Sequence, residues 1–156
     1  MAERDHLIGL RAGGPAYEQD YAAWLQHQTA LMKAGRWADV DAEHLIDEVE
    51  SLGRSDYAAF TSAVEIVLVH MLKWDAQPDK RSASWVASIV EHRRRIEQSL
   101  RDNPSYKSRL ADAVERAFDT ATAKAAGETN LPLTAFSDAN PFDWEAITSR
   151  PHQLPA

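Results

Sequence analysis

The sequence predicts an all-α fold, a single-domain bundle of about five helices closed by a proline-rich tail. Three observations predict it. Mostly apolar stripes recur at helical spacing in successive stretches, beginning with Tyr17, Tyr21, Trp24, Gln28 and Leu31. Asp or Ser opens these stretches and Gly or Pro closes them, the punctuation of capped helices. No segment alternates apolar and polar residues as a half-buried strand does, and no internal repeat is visible.

Residues 1–16 end in Gly13-Gly14-Pro15 and have no periodic apolar pattern, so they read as a flexible leader. The first predicted helix runs from Tyr17 to Lys33, with Gly35 as its left-handed stop. The second runs from Asp41 to Leu52, capped by Asp39 or Asp41 and closed by Gly53, with Leu45, Val49 and Leu52 facing inward. Ser55 opens the third, which continues through Tyr57, Phe60, Val64, Val67, Leu68 and Met71 to Ala76 before Pro78 ends it. Between Val64 and Leu72 apolar residues point in nearly every direction, the mark of a helix surrounded by protein.

Ser82 or Ser84 caps the fourth helix, whose stripe is Trp85, Ile89, His92, Ile96 and Leu100. Asn103 or Ser105 restarts the chain into the fifth, with Leu110, Val114, Ala117, Phe118 and Ala121 inward and an end near Gly127. Residues 17–127 form the bundle and residues 128–156 the tail. The tail carries Pro132, Pro141, Pro151 and Pro155 but also Leu131, Leu133, Phe136, Phe142, Trp144 and Ile147, so it is expected to dock rather than float. A short helix is expected from Asp143 to Thr148.

Composition narrows the function classes. A chain of 156 residues is one domain by size, and the absence of cysteine excludes disulfides, thiolate metal sites and thiol nucleophiles. The longest apolar run, Val64 to Leu72, is interrupted by Glu65 and His70 and is too short to span a bilayer. With no export pattern at Met1, a cytoplasmic protein is expected. A net charge of −7 disfavours nucleic-acid binding. Arg93, Arg94 and Arg95 spread around a helix rather than forming a ridge, so they read as solvated surface. No amphipathic membrane helix is expected, and apolar tail residues make homodimerisation conceivable.

The stretch richest in chemistry is the end of the third helix. His70, Lys73, Trp74 and Gln77 share one side at spacings i, i+3, i+4 and i+7. Lys73, Gln77 and Arg81 can satisfy the carbonyls orphaned where the helix stops, while Trp74 and Trp85 clamp the turn. Asp47, Glu48 and Glu50 are available to pair with Lys73 or Arg81. The competing idea is a metal site inside the bundle built from His44, Glu48, His70 and His92, a donor set suited to zinc, manganese or iron. Neither paired Glu-x-x-His nor His-Glu-x-x-His is present, and a histidine on an apolar stripe more often donates one hydrogen bond within a core. There is no G-x-S-x-G elbow and no glycine-rich phosphate loop. No cofactor is expected.

Asp47-Glu48-Val49-Glu50-Ser51-Leu52-Gly53-Arg54, then His70-Met71-Leu72-Lys73-Trp74, Gln77-Pro78, Arg81-Ser82 and Ser84-Trp85, resemble the signature of a bacterial helical family catalogued as domain of unknown function twenty-nine. Arg93-Arg94-Arg95-Ile96, Asn103-Pro104-Ser105 and Glu128-Thr129-Asn130-Leu131 resemble its later landmarks. The resemblance extends from Tyr17 to Ile147. It implies an all-helical fold without an established activity, and it groups Glu48, Glu50, His70, Lys73, Trp74, Gln77, Arg81, Ser84 and Trp85 as one module. The function expected from the residues is non-enzymatic binding of a protein or small ligand, through a polar surface at the junction of the third and fourth helices. The alternative is a metal- or ligand-dependent enzyme using the His/Glu set.

Overall fold

The computed structural model describes residues 14–154, so most of the expected leader lies outside the described residues. The fold is all-α. Among the described residues five α-helices follow one another: α1 (Tyr21–Lys33), α2 (Ala42–Ala76), α3 (Ala83–Asp102), α4 (Leu110–Thr129) and α5 (Trp144–Ser149). Short 3-10 turns join them at Trp37–Asp39, Pro78–Lys80, Pro104–Arg109 and Leu133–Ala135.

Helix starts follow the caps. Asp20 accepts a hydrogen bond from the Ala23 amide, so α1 begins at Tyr21 and not at Tyr17. Ser82 receives the Trp85 amide and Asp143 the Ala146 amide. Asp41, with its carboxylate 3.4 Å from the His44 nitrogen, opens α2.

Helix ends depart from expectation at two glycines. The second and third predicted helices are one, because Gly53 sits inside α2 instead of closing a helix. Four long helices and one short one therefore replace five long ones and a short one. Among the described residues only Gly35 and Asn130 have positive φ, at 70° and 55°. Gly127 likewise stays helical, and Asn130 supplies the left-handed cap of α4 three residues later. A glycine permits a left-handed stop without requiring one. A Cβ at Gly53 meets nothing within 4 Å. Gly53→Ala is accordingly expected to raise stability by about 0.5–1 kcal/mol, read as a higher midpoint in urea. A lower midpoint would mean that Gly53 breaks the helix after all.

The chain divides within α2, after Gly53, into two compact units. In the first, Trp24, Gln28 and Leu31 are buried along α1 as the periodicity predicts. The face of α2 that meets them is polar. Trp24 Nε1 donates to Asp41 Oδ2 at 3.1 Å, Gln28 Oε1 accepts from the Asp41 amide at 2.9 Å, and the Tyr17 ring stacks on His44 with centroids 4.4 Å apart. Tyr17 and Tyr21 both donate to Glu48, at 2.5 and 3.0 Å. Asp41, His44 and Glu48, spaced i, i+3 and i+7, thus form the covered side. The expected inward stripe is turned over: Val49 and Leu52 are 68% and 64% exposed, and Leu45 is half-buried.

The second unit holds the aliphatic core. Phe60, Val64, Val67, Leu68 and Met71 of α2 pack with Ile89 and Ile96 of α3 and Phe118 of α4. Ala113, Ala117, Ala121 and Ala125 recur every four residues along α4 and are all buried, so the small side chains let α4 lie close to its neighbours. Phe136, Phe142 and Ile147 are buried in the same cluster, and the proline-rich tail is docked.

Candidate functional site at the end of the long helix

The last turn of α2 must end among apolar neighbours, which obliges its polar side chains to find partners nearby. Lys73 is 7% exposed, and its Nζ lies 2.5 Å from Glu128 Oε2 and 4.6 Å from the centre of the Trp85 ring. Gln77 donates to the Thr129 carbonyl at 3.2 Å. Arg81 Nε donates to the Trp74 carbonyl at 3.0 Å while its guanidinium stacks 4.8 Å above the Trp74 ring. Ser84 lies 2.8 Å from Ser82, the capping residue of α3. In the second unit His70 and Lys73 thus meet Trp85, and Arg81 meets Trp74, while Gln77 reaches the end of α4 and Ser84 touches the α3 cap. Glu48 and Glu50 belong to the first unit, where Glu48 is held by the two tyrosines.

The anion expected for Lys73 comes from the end of α4, not from the acidic run of α2. Glu128 follows Gly127, which is helical, and the two extra residues carry its carboxylate to the ammonium. The core hydrogen bond expected of His70 is likewise missing: Nδ1 is buried without a partner among the described residues. The ring lies 6.4 Å from that of Trp85, and burial, then the Lys73 charge, push its pKa below the ordinary 6.5. His92 bonds the Ser88 carbonyl through Nδ1 at 2.8 Å, and His44 contacts Asp41 at the same distance. Among the described residues no three His, Asp or Glu side chains are grouped as a metal ion requires; His44 and Glu48 belong to the first unit and His70 and His92 to the second.

Sequence reasoning missed a second tier built by the tail. Arg93 of α3 donates to three backbone carbonyls, Ile147, Arg150 and Ala146, at 2.7, 2.8 and 2.9 Å. Arg150 makes a two-pronged pair with Asp75 at 2.6 and 2.8 Å. His152 then lies edge-on against Trp74, its ring centre 5.2 Å away. It is 8% exposed, and neither ring nitrogen has a partner among the described residues. The one available signal was general: a docked tail must satisfy the carbonyls of its own short helix, and arginine is the side chain with enough donors.

Burial, and then Arg93, lower the His152 pKa from 6.5, so the folded protein binds this proton more weakly than the unfolded chain does. Below pH 6.5 the unfolded chain binds protons that the native state refuses, and stability is lost as pH falls toward the folded pKa. Melting temperature is expected to drop between pH 7 and 5, and His152→Leu to flatten part of that slope. An identical slope in the variant would place the proton uptake elsewhere, with His70 the next residue to substitute.

Among the described residues no helix is long and apolar enough to cross a membrane. No curated protein and no solved structure gives a significant match to the chain. A family model described as "Domain of unknown function DUF29" matches residues 16–152, nearly the whole chain and all of the clasp that joins α2, α4 and the tail. On that match the protein belongs to the DUF29 family, as the ordered motifs from Asp47 to Leu131 anticipate.

Proposed function

We propose that this protein is a non-enzymatic interaction module whose first unit docks a helix of a partner protein, apolar along one face and basic along its margins. The carrying observation is the bare aliphatic stripe of α2: Ile46, Val49 and Leu52 are 58%, 68% and 64% exposed. At 100° per residue the three lie within about 120° of arc, the width a partner helix covers. Glu43 and Asp47, both exposed, lie along the margin of the stripe opposite the side covered by the tyrosines, so that edge carries negative charge. Six of the nine exposed large apolar side chains among the described residues belong to this smaller unit. Such an exposed patch costs solubility unless something covers it. A second copy packed antiparallel would set acid against acid along that margin, which is why a basic partner fits better. The cluster at the junction of α2 and α3 serves in this reading as a clasp, since Lys73, Gln77 and Arg81 donate to groups of the same chain.

The test titrates the full-length protein with two synthetic amphipathic helices that share a leucine face, one with lysine margins and one with glutamate margins. The lysine peptide is expected to bind at least tenfold more tightly, and Val49→Asp with Leu52→Asp to weaken it by more than tenfold. Equal binding of both peptides, or light scattering that shows a dimer dissociated by the same substitutions, would overturn the proposal.

A further inference from the structure

We infer a second, separate binding site in the second unit, a pocket for a small organic cation with an apolar body. A cavity of about 590 Å³ opens between α4 and the tail segment that precedes α5. That volume lies within the range of small-molecule sites. Its floor is apolar, with Phe118 and Phe142 buried and Val114 and Trp144 half-buried beneath it. One wall is held in shape by Asn140, whose side chain donates to the Phe142 carbonyl at 2.9 Å and accepts from the Phe142 amide at 3.0 Å.

The rim has one sign of charge. Glu115, Asp119, Asp138 and Asp143 line the opening, and no lysine, arginine or histidine does. Asp143 is committed to capping α5. Glu115, Asp119 and Asp138 are exposed and have no hydrogen-bond or ion-pair partner among the described residues. An apolar floor beneath three uncommitted carboxylates suits an amine or quaternary ammonium on a hydrocarbon or aromatic body, because the body can leave water while the charge stays at the rim. An anionic ligand meets repulsion there, and a neutral one leaves the field unused. The cavity lies in the other unit from the docking face proposed above, so the two proposals stand or fall separately.

The experiment uses the full-length protein and three probes of one shape, phenylbutylamine, phenylbutanol and phenylbutyrate, followed by the Trp144 indole signal in nuclear magnetic resonance. The amine is expected to bind at least tenfold more tightly than the alcohol, with phenylbutyrate weakest. Molar salt is expected to shrink the advantage. The triple variant Glu115→Gln, Asp119→Asn, Asp138→Asn is expected to bind amine and alcohol alike, and it should fold normally because all three side chains are exposed. Equal affinity of amine and alcohol in the unsubstituted protein would overturn the inference without any variant. So would an unmoved Trp144 signal, or a lysine-bearing peptide that binds where the free amine does not.

Discussion

Trp74→Ala is expected to lower stability by about 3–5 kcal/mol, the largest effect of any single substitution near the clasp. The indole is 4% exposed and sits between two tiers, with the Arg81 guanidinium on its face and the His152 ring against it edge-on. Truncation leaves a cavity and removes the ring that both contact. Trp74→Phe, which keeps an aromatic face, is expected to recover part of the loss. Urea denaturation measures it, and an unchanged midpoint for Trp74→Ala would mean that the ring is not packed as described.

Arg93→Met is expected to cost about 2–4 kcal/mol, because three carbonyls lose a charged donor at once and methionine offers no hydrogen in return. Arg93→Lys should restore less than half, since an ammonium cannot present the planar fork that reaches Ala146, Ile147 and Arg150 together. The location of the damage is the sharper readout. Hydrogen exchange is expected to quicken in α5 and the following residues before it quickens in the core of α2. Uniform acceleration along the chain would show that Arg93 supports the bundle and not the tail.

The two substitutions probe different depths of legibility. Trp74 is conspicuous in the sequence, standing one turn after His70 in a helix apolar on all sides, and its burial follows from that periodicity. Arg93 is not conspicuous. It is the first of three arginines that together read as solvated surface, and Arg94 and Arg95 are indeed exposed. What distinguishes it is the approach of α5, an event remote in sequence. Glu128 is similar: a single acid among many, selected only because α4 runs past Gly127 and ends at Asn130.

Val49 and Leu52 show the opposite failure. Their spacing is that of a buried stripe, yet the first unit covers the Asp41, His44 and Glu48 side of α2 with tyrosine and tryptophan. Aromatic side chains carry both an apolar body and a hydrogen-bonding tip, so they can pack on a polar face that aliphatic residues cannot satisfy. Periodicity reports which residues share a face of a helix. It does not report which face a neighbour will choose.

By itself, the sequence determined the helical class, a cap for α3 at Ser82 or Ser84, a short helix near Asp143, the central run from Val64 to Leu72, the docking of the tail and membership of the family. These depend on local stereochemistry and on the period of the α-helix, both of which act within a few residues. Tertiary structure alone decided that α2 continues through Gly53, that Lys73 pairs with Glu128, that Arg93 gathers the tail carbonyls and that an aliphatic stripe faces outward. The last three of those outcomes are choices among partners distant in the chain. They are settled by which polar groups and which faces the assembled chain brings together, and a local period carries no record of that.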